Sequence, residues 1–172
     1  PPYGQCATMP SCWMNVEKPG LDQVAVRKAI AMATDYDQII ASAMSNQSPT
    51  FTDVPRSTMN PTDGEQALYD HDAVKDLQFA GNDVDGANAL LDEAGIVDSD
   101  GDGIREYNGT PLSFKAECPD GWTDWMASLE IVAASAKKVG IDIQTFFPDT
   151  NTFYDDITTG NFDICMNSPS GS

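Results

Sequence analysis

The last third of the chain constrains the fold most, because its apolar residues keep changing period. Leu112-Ser113-Phe114-Lys115-Ala116 alternates in steps of two, as a half-buried strand does. Trp125, Leu129, Val132, Ala136 and Val139 then recur in steps of four and three, the stripe of a helix running from about Asp124 to Val139. Lys137 and Lys138 in its last turn complement the helix dipole, and Gly140 stops it. Ile141 to Phe147 returns to strand. Asn151 or Thr152 is the expected cap of a short helix through Phe153 and Ile157, ended by Gly160, and Phe162 to Met166 is a last strand. Such alternation is satisfied by a parallel or mixed sheet with helices on its faces, so the expected class is α/β.

The first half reads less regularly. Cys12 to Val16 is a short strand broken by Pro19-Gly20. Asp22 is the expected cap of a helix carrying Val26, Ala29, Ile30 and Ala33, and a second helix runs from about Tyr36 to Met44 with Ile39, Ile40 and Ala43 inward. From 45 to 83 apolar residues thin out and Pro49, Pro55, Pro61 and Gly64 punctuate the chain, which predicts a loop-rich excursion with short elements near Tyr69 and Phe79. Order resumes at Asp85, with Ala87, Leu90, Leu91 and Ala94 on one stripe ended by Gly95. No repeat or linker divides the 172 residues, so residues 1–172 are expected to form a single domain with that excursion.

Charge and composition exclude several classes of function. Nine Lys and Arg against 27 Asp and Glu leave a net charge of −18, which repels nucleic acid phosphates and anionic membrane surfaces. No apolar run approaches the roughly 20 residues of a membrane span. A 41% apolar share with three Trp is that of a folded globule. The four cysteines (Cys6, Cys12, Cys118, Cys165) form no C-x-x-C, and His71 is the lone histidine, so zinc held through several His is excluded and a Cys-only site lacks the usual spacing. Cys6 and Cys12 either close a small disulfide loop or stay free thiols. The chain opens Pro1-Pro2-Tyr3 without a basic-then-apolar leader, as expected of a mature chain or a piece of a longer one.

Two segments carry the expected chemistry. Asp98, Asp100 and Asp102 alternate and Gly103 follows, the first half of a calcium loop. Ca²⁺ takes six to eight hard oxygens, and a tight turn lets alternate carboxylates converge, with the Ile104 carbonyl and Glu106 completing the set. Gly109 stands where a full EF-hand has its bidentate Glu, so a structural Ca²⁺ in a partial loop is the expectation, against an ion-free solvated turn. The second segment is Gly121-Trp122-Thr123-Asp124-Trp125, at a strand-to-helix junction. In an α/β sheet, ligands lie beyond the carboxyl ends of the strands. Flat indoles there stack on sugar rings, and Asp oxygens take hydroxyls. Trp122 is the expected stacking residue, while Trp125 also continues the helix's inward stripe. No nucleophile elbow or phosphate loop is present, so no catalytic residue and no organic cofactor is expected. Counting alone leaves a carboxylate-pair glycosidase as a distant alternative.

Leu21-Asp22-Gln23-Val24-Ala25-Val26-Arg27-Lys28-Ala29-Ile30 with Ala33-Thr34-Asp35-Tyr36-Asp37, the run from Ala87 to Gly95, Asp98 to Glu106, Lys138-Val139-Gly140-Ile141 and Gly160-Asn161-Phe162-Asp163-Ile164 together resemble the family 5 extracellular solute-binding proteins. These are the peptide- and oligosaccharide-binding components of bacterial ABC importers. The resemblance implies an extracytoplasmic, non-catalytic protein working with an ABC permease. Gly121-Trp122-Thr123-Asp124-Trp125 resembles the cello-oligosaccharide binders, which implies ligand contacts at Gly121, Trp122, Asp124 and Trp125. Dipeptides or oligopeptides are the alternative ligand. Family members have two hinged lobes, and this chain resembles only the second, from about Trp13 to about Ile164. The first lobe would then be its missing partner in gripping ligand.

Overall fold

The computed structural model describes residues 10–46, 64, 67–68, 70–75 and 79–168. In chain order the elements are strand β1 (Ser11–Met14), helix α1 (Val24–Ala33), α2 (Tyr36–Gln38) running on as a π-turn (Ile39–Ala43), α3 (His71–Val74), α4 (Val84–Glu93), strands β2 (Glu106–Tyr107), β3 (Thr110–Pro111) and β4 (Ser113–Glu117), α5 (Thr123–Lys137), β5 (Asp142–Phe146), α6 (Thr150–Thr159) and β6 (Ile164–Asn167). The chain is α/β, as the alternation predicts. Four strands form the main sheet in the order β1-β6-β4-β5. β4 is parallel to both β5 and β6, and β1 runs antiparallel to β6 at the edge.

The topology sets the layers. The crossover from β4 through α5 reaches β5 on one side of β4, and the crossover through α6 returns to β6 on the other. Right-handed crossovers in opposite directions place their helices on opposite faces. The larger core accordingly lies under α5 and α1, where Val26, Ile30, Phe114, Ala116, Leu129, Val132, Ile143 and Ile164 pack together, and α4 leans on α1. All five inward positions of the long helix are buried, Trp125 through Val139. Phe153 of α6 and Cys165 of β6 are fully buried outside that cluster, which marks the second face.

Caps and edges differ from expectation. Asp22 does not cap α1; its Oδ1 turns back to accept from the Gly20 amide at 2.9 Å, and Gln23 occupies the cap without a side-chain bond. α6 is capped by Asp149, not by Asn151 or Thr152, whose amides both donate to Asp149 Oδ1. With the Thr152 hydroxyl also donating, these bonds hold the Asp149 carboxyl below its ordinary range. β1 stops at Met14, Ala94 is exposed, and the β2–β3 hairpin was not anticipated. Phe79 lies in no helix or strand, whereas Tyr69 and Cys6 fall outside the described residues, as does most of the 45–83 excursion. Cys12, Cys118 and Cys165 are free thiols; desolvation pushes the first up to about 11 and the others to about 12, so all stay protonated and weakly nucleophilic at neutral pH. Among the described residues, no helix is long and apolar enough to cross a membrane.

Candidate functional site at the carboxyl edge

The parallel strands β4, β5 and β6 end on one side of the sheet. Register aligns Trp13, Cys165, Glu117 and Phe146 as neighbours across all four strands, close to that edge. Directly paired residues point to the same face, so this rung belongs to the α6 side. Its outer members are open: Trp13 is 37% exposed and Phe146 43%. Its centre, Glu117, is fully buried.

Beyond β4 the chain turns through Cys118-Pro119-Asp120-Gly121 into α5. The Trp122 amide donates to the Pro119 carbonyl at 3.3 Å, and the Asp120 amide donates to the Pro148 carbonyl at 2.8 Å. The second bond ties this loop to the one after β5, so the two loops at the edge form a unit. Gly121 sits at φ +83° with open space where a Cβ would project, so a side chain there would be opposed by backbone conformation and not by crowding.

Trp122 is the N-cap of α5, without a side-chain capping bond, and Trp125 lies in the first turn. Trp122 is 37% exposed and Trp125 only 9%. Their ring centroids are 4.6 Å apart at 74°, an edge-to-face contact worth about 0.5–1.5 kcal/mol beyond area burial. The buried indole therefore braces the exposed one. Asp124 is half-buried, and its backbone carbonyl accepts from the Ser128 hydroxyl at 2.7 Å. The expected ligand residues thus adjoin one another, with Trp122 presenting a surface and Trp125 facing the core. Trp13 carries no expected role, yet it is equally exposed. Strand alternation was the available signal, since inward Cys12 and Met14 leave Trp13 on the opposite face.

The acidic loop lies elsewhere, between α4 and β2. Oxygens of Asp98, Asp100, Asp102 and Glu106 lie within 4.8 Å of one another. Asp98 accepts from the Gly101 and Gly103 amides at 2.7 and 2.9 Å, and Asp102 from the Ile104 amide at 2.7 Å. Glu106 Oε2 accepts from the amide and hydroxyl of Ser99 at 2.8 and 2.7 Å. Asp100 accepts from the Asp102 amide at 3.1 Å, so backbone donors hold all four side chains, and an all-oxygen carboxylate set suits a hard cation.

The comparisons agree with this architecture. The model of the bacterial extracellular solute-binding proteins, family 5 middle region, matches residues 7–172. The periplasmic oligopeptide-binding protein of Thermotoga maritima, in a crystal structure with bound mannohexaose, is similar at 34% identity and TM-score 0.81, over 94% of this chain and 29% of that one. The oligopeptide-binding protein AppA of Bacillus subtilis is 24% identical over 141 residues, 81% of this chain and 24% of AppA. The periplasmic binding protein MelB of Agrobacterium fabrum, in complex with stachyose, shares the fold at TM-score 0.73 and 19% identity, over 94% of this chain and 26% of MelB. The chain therefore spans about a quarter to a third of the length of the relatives it matches.

Proposed function

The chain belongs to the family 5 bacterial extracellular solute-binding proteins, which are non-catalytic, and from that premise we propose that it supplies one wall of the ligand site of an ABC-importer binding protein. Its ligand on this reading is an oligosaccharide of the cello-oligosaccharide type. The observation that carries the reading is the Trp122 indole, exposed at the carboxyl edge and braced by Trp125. A rigid indole loses little entropy on stacking against a pyranose. Asp124 and the Gly121 loop stand beside it for hydroxyl contacts. The wall would act with a first lobe and deliver to a permease outside the cytoplasm. The mannohexaose on the Thermotoga maritima protein supports a sugar; the oligopeptide-binding names of that protein and AppA support a peptide as the second reading.

Calorimetry of the full-length protein with cello-oligosaccharides and with oligopeptides separates the two. Trp122→Ala is expected to cost about 2 kcal/mol of sugar affinity, roughly thirtyfold, the scale of a central aromatic anchor. Binding of peptides alone would replace the sugar reading. Sugar affinity unchanged in Trp122→Ala would remove the stacking role.

The same proposal includes a structural Ca²⁺ held by Asp98, Asp100, Asp102 and Glu106, with the Ile104 carbonyl as a further ligand. Its support is the convergence of the four carboxylates. Saturating Ca²⁺ at about a hundred times Kd would add about 2.7 kcal/mol. Chelation is therefore expected to lower Tm by roughly 5–10 °C for a chain of this size. An unchanged Tm on chelation would leave the turn ion-free.

A further inference from the structure

Glu117 is the one described residue whose buried side-chain oxygens lack hydrogen-bond partners. It is fully buried, at the end of β4 and in the middle of the last rung. Oε2 has only an ion-pair approach, 3.0 Å from Lys115 Nζ, and that ammonium is also drawn over the Phe146 ring at 4.9 Å. Oε1 has nothing. Buried polar groups are otherwise almost always satisfied, because leaving one unpaired forfeits its hydration.

The charged groups around it do not compensate. From α6 comes Asp156, 7% exposed and bonded through Oδ1 to the Asn161 amide nitrogen at 2.7 Å. From the turn before β6 comes Asp163, whose Oδ1 pairs with Lys18 Nζ at 3.0 Å and whose Oδ2 accepts from the Lys115 amide at 2.9 Å. The Cys165 and Cys118 thiols are neutral. Three carboxylates thus face two ammonium groups, one of them already engaged by Asp163.

We propose that Glu117 is a proton-linked latch: protonated, it lets α6 close over the last rung beside the Trp122 loop, and ionised, it loosens that closure. Burial pushes its carboxyl above the ordinary 4.5; Lys115 opposes the shift, and the Asp156 and Asp163 charges add to it. Because the raised carboxyl belongs to the folded state, the folded chain holds the proton where the unfolded chain has released it. Stability from this group is then present below 4.5 and falls as pH rises through the higher folded value.

The test compares the full chain with Glu117→Gln in thermal melts at about pH 5 and about pH 8, above the ordinary carboxylate range. The wild-type midpoint should drop across that interval by several degrees more than the variant's, and the variant should melt higher at the upper pH. Amide protection in Thr150–Thr159, with the base-catalysed intrinsic exchange rate at each pH divided out, should fall with pH in the wild type and stay level in the variant. Parallel melting curves, or a variant less stable than wild type at the upper pH, would overturn the latch. A second measurement needs no variant: with the six glutamates labelled at the carboxyl carbon, the Glu117 signal should still be mainly protonated at pH 4.5. A Glu117 signal already ionised there would overturn it equally.

Discussion

Arg105→Ala should destabilise the chain by about 2–6 kcal/mol, the cost of orphaning two buried carbonyls at about 1–3 kcal/mol each. The Arg105 side chain is 13% exposed, and its guanidinium reinforces a joint that the backbone also makes, through Arg105 N–H to the Gly140 carbonyl and Glu106 N–H to the Val97 carbonyl. Nε donates to the Val139 carbonyl at 3.1 Å, Nη1 to the Ile96 carbonyl and Asp92 Oδ1 at 2.6 Å each, and Nη2 to Asn88 Oδ1 at 3.0 Å. These partners lie on α4, on the turn after it, and at the end of α5. Asp92 is 60% exposed, so that ion pair contributes about 0–1 kcal/mol at most. The loss therefore comes from the Ile96 and Val139 carbonyls, both on residues 1% exposed. Gly140 completes the joint: a Cβ there would stand 2.8 Å from Arg105 Cγ, at φ +74°. Arg105→Lys keeps the charge without the fork and should recover less than half of the loss. Urea denaturation reads both variants, and an alanine variant within about 0.5 kcal/mol of wild type, the usual surface-substitution range, would show the fork to be idle.

What could be read from the sequence follows from the range of the forces involved. The α5 stripe from Trp125 to Val139 is local periodicity, and every one of its positions is buried. Carboxylate caps were legible as turns but not in direction. Asp22 accepts from the amide behind it and Asp149 from amides ahead, a choice made by the next few dihedrals and not by residue type. Trp122 and Trp125 stand three apart, a spacing that suggests one helix face. Trp122 is instead the cap, outside the helical dihedrals, and so turns its ring outward while Trp125 turns in. Glu117 was illegible because its burial is tertiary, and the nearby charges of Asp156 and Asp163 come from elements that lie far along the chain. Alternation put Lys115 and Glu117 on one face, and nothing local says that one of them is buried. Arg105 was hidden similarly, since its acceptors are carbonyls that any sequence would supply.

Lowering the salt concentration is expected to destabilise the chain strongly. Its −18 net charge is carried by 21 Asp and six Glu against six Lys and three Arg. Spread over 9489 Å² of surface, that is one uncompensated negative charge per roughly 530 Å², or about 23 Å between neighbours. A pair of like charges about 20 Å apart in water repels by only about 0.2 kcal/mol. Eighteen such charges repel in every pairing, on the order of 150 pairs, so the unscreened total exceeds the 5–15 kcal/mol that holds a domain folded. Unfolding spreads the charges apart and relieves much of this, which is why it acts against the folded state. At about 0.01 M salt the Debye length of about 30 Å exceeds the spacing and neighbouring charges still repel at roughly half strength; at about 0.15 M it is about 8 Å and most pairs are screened. Tm should therefore rise steeply between those two concentrations and flatten by about 1 M, where the Debye length is about 3 Å. Sodium and potassium chloride should act alike, because screening depends on ionic strength and not on the cation. A melting midpoint indifferent to salt over this range would mean that the exposed carboxylates are neutralised by some tightly held counter-charge.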